Sequence, residues 1–220
     1  MSLIHKYKEP AFIIVASIFA CIMLYIIEQI LLSTYEIKTI FKIIFFTSIP
    51  LIYWKWFQPA KRMKEKQSGL RLSFALSTAV FCIIWLVFWL FGSFVDFSNI
   101  LKELELSKNE YILRGIYIIF GNSFLEEFFF RGFIFLNLYE SGYRKTAYGF
   151  SSLLFSIYHI ALFQSWFSLW IMLLILLSLF AVGFVFDVLT KRAGSFKGSW
   201  VVHISADLAI ILIGWVMFFA

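Results

Sequence analysis

Runs of mostly apolar residues, each about as long as a bilayer is thick, recur along this sequence of 220 residues. A helix of roughly 20 such residues crosses the hydrocarbon core of a membrane. Hydrophobic residues make up 62% of the chain and charged residues only 15%, which is too apolar for a water-soluble fold. The sequence therefore predicts an all-α, polytopic membrane bundle of about seven transmembrane helices, with eight as the alternative. The predicted spans are residues 11–33, 39–57, 72–94, 113–139, 146–163, 166–186 and 200–219.

Basic residues lie mainly in the loops at one end of these spans. Lysines and arginines at the N-terminus and after spans two, four and six number twelve, against three on the other side. Because cytoplasmic loops are enriched in Lys and Arg, the N-terminus is predicted in the cytoplasm and the C-terminus outside. Residues 58–71 form the most basic loop, and 95–112 are predicted to be a loop or a short interfacial helix. The net charge of +6 thus reflects topology, and no nucleic-acid partner is expected.

Eight ionisable residues lie well inside the apolar runs, where a charge at the bilayer centre costs about 2.5–3.5 kcal/mol on insertion scales. Six of them fall in spans four, five and seven, which makes these spans the candidates for a functional site. Lys55, Arg114 and Asp187 lie near span ends, where solvation is expected to be easy. The eight are Glu28, Lys42, Glu126, Glu127, Arg131, His159, His203 and Asp207.

The fourth span contains two adjacent glutamates and an arginine. Glu127 and Arg131 are four residues apart and face the same side of a helix, with the acid on the favourable N-terminal side. Glu126 lies about 100° around the helix and has only Asn122 as a neighbour in its own span. The spacing predicts a structural Glu127–Arg131 ion pair and a Glu126 left free for chemistry. The alternative is that the spare carboxylate tethers another helix.

Spans five and seven contribute two histidines and an aspartate. His203 and Asp207 are four residues apart, so that Asp207 can accept from the imidazole and fix its orientation. Glu126 or His159 can take a proton from water, and the other histidine can stabilise an oxyanion. The same residues, Glu126, His159 and His203, could instead hold Zn²⁺. Taken one at a time, each is also compatible with a packing role between helices.

In order and spacing these motifs resemble those of the CAAX-protease and bacteriocin-processing family of membrane endopeptidases. That family has EExxxR, FxxxH and HxxxN or HxxxD on successive segments. Neither HExxH nor GxSxG occurs in the chain. The resemblance covers roughly residues 110–215, and the matching positions are Glu126, Glu127, Arg131, Phe155, His159, His203 and Asp207.

The resemblance implies an intramembrane hydrolase, glutamate- or metal-dependent, whose substrate is a peptide or a membrane-anchored protein. Glu126 and His159 would activate water, and His203 and Asp207 would stabilise the oxyanion. An ionised Asp donates no hydrogen bond, so an orienting or metal-binding role is the alternative for Asp207. Some relatives trim prenylated CAAX proteins, and others are tied to bacteriocin maturation or immunity. Residues 1–110 are expected to hold the N-terminal spans and the amphipathic loop, and 111–220 the catalytic domain.

Two other functions are compatible with these residues. The first is a non-enzymatic immunity or scaffold protein that keeps the protease fold. The second is a transporter or channel whose carboxylates and histidines form an ion path, which the lack of repeat symmetry disfavours. The sequence indicates neither an oligomeric state nor a particular substrate.

The predicted depths of the two histidines conflict with a shared site. His159 lies about 20 Å from the cytoplasmic end of span five, whereas His203 lies about 5 Å from that end of span seven. They could meet if span five began near Phe150 and span seven near Ser195. The site would then lie about 10–15 Å from the cytoplasmic end and be reached from the cytoplasm.

Overall fold

The computed structural model describes residues 3–57, 63–92, 106–164 and 167–219, without the side chains of 3–7 and 163. Parts of the loops predicted at 58–71 and 95–112, and the first residue of the span predicted at 166–186, lie outside the described residues. The described chain is almost entirely helical and contains no strand, so the predicted all-α class is confirmed.

The described chain forms seven main helices. Five of them are long and apolar enough to cross a membrane by length and composition. The helices are α1 (Leu3–Tyr25, continued by a π-helical turn at Ile26–Ile30), α2 (Tyr35–Phe57), α3 (Gln67–Phe91), α4 (108–140), α5 (Arg144–Tyr158), α6 (Leu169–Ala193) and α7 (Lys197–Phe219). A short helix, Ile160–Phe163, follows α5 after a turn at His159.

Helix α4 is irregular where the two glutamates lie. It begins with a capping box, in which Ser107 and Glu110 satisfy each other's backbone N–H groups. Two wide π-helical stretches, Tyr117–Asn122 and Glu127–Phe135, then flank a single α-helical turn, Ser123–Glu126. Such π-helical stretches are frequent at functional sites. Glu126 and Glu127 therefore lie at the junction between two helical geometries.

An aromatic core joins α1, α2, α4 and α5. Phe46 of α2 stacks on Phe129 of α4 with ring centroids 4.1 Å apart and planes 2° apart. Phe130 contacts Phe155 of α5 edge to face, at 5.3 Å between centroids. The same core includes buried residues of α1, such as Ile13. Helices before residue 110, the predicted boundary between the N-terminal and catalytic parts, therefore share one core with helices after it. Helix α2 lies beside the turn of α4 that contains Glu126.

The turn between α6 and α7 packs against α4. Gly194, with a φ of 68°, ends α6, and the Phe196 ring packs against Gly132 of α4. Gly132 precedes the end of α4 at Glu140 by eight residues, which corresponds to about 12 Å. The Phe196 side chain therefore lies well inside the bundle, while the backbone of the turn contacts Lys64 in the loop that reaches Glu140.

The helix bounds resolve the conflict between the depths of the two histidines. His203 follows the start of α7 by six residues, which brings it about 20 Å from the Glu140 end of the bundle. His159 lies at the same depth, because it follows the α5 start at Arg144 by fifteen residues. Helix α5 begins at Arg144, before the expected Phe150, and α7 begins at Lys197, close to the expected Ser195. The depth of 10–15 Å from the cytoplasmic end of the spans stays a prediction. The histidines meet about 20 Å from the end that carries the basic loops.

Candidate active site

The carboxylate of Glu126 is paired with a lysine from another helix. Lys42 of α2 donates from Nζ to Oε1 of Glu126 at 2.6 Å, and Asn122 of α4 donates to the same oxygen at 3.0 Å. Lys42 also donates to Oδ1 of Asn122 and lies over the rings of Phe46 and Tyr158. Asn122 is the one neighbour that the sequence offered within α4, and it does bind Glu126, but the carboxylate is not left free, because it also pairs with Lys42. Its partner comes from the second span, which spacing within α4 could not show.

The second oxygen of Glu126 faces both histidines. Oε2 lies 3.9 Å from Nε2 of His159 and 3.8 Å from Nε2 of His203. These separations are too long for direct hydrogen bonds and are typical of groups that share a water molecule or a substrate oxygen. The structure thus brings together three of the predicted residues, each on a different helix.

The opposite ring nitrogen of each histidine is anchored. Nδ1 of His159 lies 2.7 Å from the carbonyl oxygen of Phe155, and Nδ1 of His203 lies 3.0 Å from Oε1 of Glu127. A ring nitrogen that donates to such an acceptor carries its hydrogen, which leaves Nε2 of the neutral ring as an acceptor. Both imidazoles therefore present Nε2 to Glu126.

A buried ionic cluster holds Glu127 in place. Arg131 donates to Oε1 of Glu127 at 3.1 Å and to the carbonyl oxygen of Gly183 at 3.2 Å. Its Nε lies 3.4 Å from Oδ1 of Asp187, and all three charged side chains are fully buried. The predicted Glu127–Arg131 pair is present in the structure, but Glu127 also binds His203 and so connects this cluster to the site.

Asp187 belongs to this cluster, contrary to its expected position near a solvated span end. Ser151 and Ser152 of α5 donate to its two oxygens at 3.0 and 2.9 Å. These two serines precede the FxxxH motif, and Gly183 of α6 packs closely against Ser152. The two serine hydroxyl groups of α5 thus satisfy both oxygens of a buried aspartate.

Asp207 lies beside His203 but does not hold its Nδ1. Its Oδ2 is 3.6 Å from Nε2 of His203, and this oxygen has no hydrogen-bond partner among the described residues. The residue that orients the ring is Glu127, whereas the sequence suggested Asp207. Asp207 instead places a second carboxylate on the Nε2 side, next to Glu126.

The side chains do not form a zinc site. Within the part of the chain that the structure describes, no group of three or more His, Cys, Asp or Glu side chains is arranged to hold a metal ion. Ligands about 2.0–2.1 Å from a tetrahedral zinc are about 3.4 Å apart, which is closer than Glu126 lies to either histidine. The ammonium of Lys42 on the same carboxylate would also repel a divalent cation. The alternative set Glu126, His159 and His203 therefore does not fit the metal.

Two residues of this region were missed as site components. Lys42 was recognised as a deep charge, but its span was not among the candidate spans, and Asp187 was expected to be easily solvated. Both act through partners on other helices, so no motif spacing reveals them. The available signal was the burial cost of each charge, which requires a partner of opposite sign nearby.

Comparison with known proteins agrees with the motifs. A family model described as type II CAAX prenyl endopeptidase Rce1-like matches residues 108–209. This segment starts at the first residue of α4 and ends two residues after Asp207, so it contains every site residue that the sequence predicted. Lys42 lies outside it. Comparisons with curated proteins and with solved structures gave no match.

Fold and site together define a multi-pass helical membrane protein with a buried centre of acids and histidines. The segment 108–209 is similar to the CAAX-protease family of membrane peptidases, described as type II CAAX prenyl endopeptidase Rce1-like. The resemblance that the motifs indicated is thereby confirmed.

Proposed function

We propose that the protein is an intramembrane endopeptidase that hydrolyses peptide bonds with a water molecule activated by Glu126. The observation that carries this proposal is the convergence of Glu126 Oε2 with the Nε2 atoms of His159 and His203, at 3.9 and 3.8 Å. A water molecule bound by the carboxylate and both imidazoles would lie among these three groups. That arrangement suits general-base attack of water on a carbonyl carbon.

The reaction uses the protein's own groups. Glu126 takes one proton from the water, and the resulting hydroxide adds to the carbonyl carbon of the scissile bond. The negative charge then lies on the former carbonyl oxygen, where the Nε2–H of a protonated His203, whose Nδ1–H donates to Glu127, can donate to it. Glu126 passes its proton to the amine nitrogen as the carbon–nitrogen bond breaks, which leaves a carboxylic acid and an amine, and the acid then passes its own proton to the amine to give a carboxylate and an ammonium. His159 holds the water on the other side of Glu126.

Lys42 keeps Glu126 in the form that this chemistry needs. A carboxylate buried in a membrane protein takes up a proton unless a positive charge compensates it. The ammonium at 2.6 Å supplies that charge on Oε1 and leaves Oε2 turned toward the histidines. Glu126 therefore has one oxygen for structure and one for chemistry.

Glu127 and Asp207 act on His203 from its two sides. Glu127 at Nδ1 holds the ring in one tautomer and stabilises the imidazolium, as a triad carboxylate does. Asp207 at 3.6 Å from Nε2 lies next to the position of the developing oxyanion. When ionised it cannot donate to that oxyanion, so we assign it to positioning of His203 and of the water.

The membrane arrangement follows the distribution of charge. We propose that the N-terminus is cytoplasmic and the C-terminus lies outside, as the twelve-to-three excess of loop lysines and arginines favours. Residues 111–220 carry the catalytic motifs, and 1–110 add Lys42 and the core residues of α1 and α2. The substrate is a peptide or a membrane-anchored protein.

A comparison of cells tests this function. N-terminal peptides are quantified from membranes of cells that produce the wild-type protein or Glu126→Gln, in equal amounts. We expect at least one new N-terminus that requires the wild-type protein and is lost equally in His159→Ala. Identical sets of N-termini in all three strains would instead favour a non-enzymatic immunity or scaffold protein.

A further inference from the structure

We infer that Gln29 of α1, which lies outside the matched segment 108–209, is a positioning residue that keeps the imidazole of His159 turned toward Glu126. The role of His159 in catalysis rests on the proposed function. The contact between α1 and the end of α5 does not depend on cleavage, so it can be tested by itself.

Helix α5 breaks at His159. The ψ angle of His159 is −7°, whereas an α-helical residue has about −42°. Its backbone N–H group donates to the carbonyl oxygen of Ser156, three residues back, at 3.1 Å. In a continuous α-helix the same N–H group would donate to the carbonyl oxygen of Phe155, four residues back. The break therefore releases the Phe155 carbonyl from that bond.

The released carbonyl oxygen orients the imidazole. Nδ1 of His159 lies 2.7 Å from the oxygen of Phe155. If the helix continued, the backbone N–H of His159 would compete with the ring for this oxygen. The break thus favours the tautomer that carries its hydrogen on Nδ1 and presents Nε2 to Glu126, 3.9 Å away. A group that holds the break in place also holds the ring.

Helix α1 holds the turn that follows the break. Gln29 donates from Nε2 to the carbonyl oxygen of Ala161, two residues after His159. Ala161 is buried in this turn, which Leu162 closes by donating to the carbonyl oxygen of His159 at 3.0 Å. A carbonyl group at membrane depth needs a donor, and the amide of a glutamine side chain can supply one from a neighbouring helix. Gln29 therefore fixes the backbone conformation in which the helix is broken.

The hairpin of α1 and α2 contacts the proposed site at two places. Gln29 belongs to the π-helical turn Ile26–Ile30 at the end of α1, and such turns are frequent at functional sites. Helix α2 follows in the same hairpin, and its Lys42 binds Glu126. The hairpin thus holds Glu126 directly and His159 through its turn, so it contributes to the distance between the two side chains.

A second contact between the same helices provides a matched control. Tyr25, one turn before Gln29 on α1, donates its hydroxyl group to Oε1 of Gln164 at 3.3 Å. This bond is exposed and reaches the chain five residues after His159, beyond the turn that contains the break. Its loss in Tyr25→Phe should leave the ring of His159 in place.

NMR of labelled histidine tests the inference without requiring turnover. The chain has three histidines, so His5→Gln leaves only His159 and His203, and His159→Gln assigns their signals. Protein with ¹⁵N-labelled histidine is studied in lipid nanodiscs at a pH at which the ring of His159 is neutral. The shifts of the ring nitrogens then report which nitrogen carries the hydrogen, and Tm is measured on the same samples.

The variants of Gln29 should differ in the tautomer of His159. We expect the hydrogen on Nδ1 in the parent protein and in Tyr25→Phe. Gln29→Met has no donor, so a mixture of both tautomers should appear for His159 while the signals of His203 stay unchanged. Gln29→Glu keeps the shape of the side chain but has no donor when ionised, and it should give the same mixture. Gln29→Lys restores a donor and should restore the single tautomer.

Two NMR outcomes overturn the inference. The first is an unchanged tautomer of His159 in folded Gln29→Met or Gln29→Glu. The second is an equal change at His159 and His203, which would show a general rearrangement. An inactive parent protein with the expected tautomers would count against the proposed function alone.

Turnover gives a second test once a substrate is known. Gln29→Met should reduce kcat by roughly 10- to 100-fold with little change in KM, because it displaces a catalytic group and removes no contact with substrate. In a His159→Ala background the same substitution should cause no further loss. A further loss there would show that Gln29 acts independently of His159, contrary to the inference.

Discussion

Lys42 of α2 donates a hydrogen bond to Glu126 of α4 across 2.6 Å, although 84 residues separate them in the chain. This contact joins the N-terminal helices to the segment that carries the family motifs. It explains how a carboxylate that is only 3% exposed remains charged inside a membrane protein. Two predictions about the site depend on it, one on Lys42 itself and one on Glu126.

Replacement of Lys42 by methionine is expected to lower both stability and activity. The loss of the ammonium leaves Glu126 buried without its counter-charge, at a cost of about 3–5 kcal/mol. In the double variant Lys42→Met/Glu126→Gln the charge is gone on both sides, so thermal stability in detergent should recover most of the difference. Lys38→Met is the matched control, since Lys38 pairs with Glu28 at a partly exposed position. A double variant no more stable than Lys42→Met would show that the pair is not coupled.

The buried ionic cluster predicts a strong effect of Arg131→Met. Arg131 is the shared cation of Glu127 and Asp187, so its removal should lower the free energy of unfolding by about 3–5 kcal/mol. Arg114→Met is the control, because the partner of Arg114 is the exposed Glu36, and no measurable change in Tm is expected. Equal Tm values for the two variants would contradict the role assigned to the cluster.

The two carboxylates beside His203 should differ in their kinetic effect. Glu127 holds Nδ1 of the ring, so Glu127→Gln should reduce kcat by roughly 10- to 100-fold with little change in KM. Asp207→Asn should reduce kcat less, because an Asn carbonyl oxygen can still accept a hydrogen bond at the same place. Asp207→Ala, which removes the group, should cost more than Asp207→Asn. A larger loss in Asp207→Asn than in Glu127→Gln would return the orienting role to Asp207.

Packing at the α6–α7 turn predicts that alanine substitutions at two glycines have different effects on thermal stability. A Cβ at Gly69 would lie 2.5 Å from the backbone of Ala193, where α3 meets the end of α6. Gly69→Ala should therefore destabilise the protein and separate α3 from the turn that sets the depth of His203. Gly149 of α5 has no atom within 4 Å of such a Cβ, so Gly149→Ala should be neutral or stabilising by about 0.5–1 kcal/mol. The comparison of Tm values decides, and a stable Gly69→Ala would argue against the close contact.

Local spacing predicted much of this site and failed where partners come from other helices. The i,i+4 rule identified Glu127 and Arg131, and the three motifs located the histidines. It could not identify Lys42 as the partner of Glu126 or Asp187 as the partner of Arg131, because such contacts depend on how helices pack. The orienting role of Glu127 was missed for the same reason: Asp207 is nearer to His203 in sequence, but Glu127 is nearer to its Nδ1.

Depth was the other quantity that the sequence misjudged. Apolar runs predicted the helices, yet they assume that each helix starts at the membrane surface. The Phe196 ring reaches about 12 Å inside the bundle, where it packs against Gly132 of α4. A sequence contains no direct signal for a contact of this kind between a turn and another helix.

The central claim is that Glu126 is the general base, and turnover by Glu126→Gln tests it most directly. The substrate identified by its N-terminal peptide is cleaved by purified protein in lipid nanodiscs, with Tm measured on the same samples. Glutamine keeps the shape of the side chain and can still accept from Lys42, but it removes the counter-charge of the ammonium, so Tm should fall and turnover is measured at a temperature where both proteins are folded. The account predicts a loss of about 10²–10⁴-fold in kcat, the usual contribution of general-base catalysis. Cleavage by folded Glu126→Gln at the wild-type rate would contradict it.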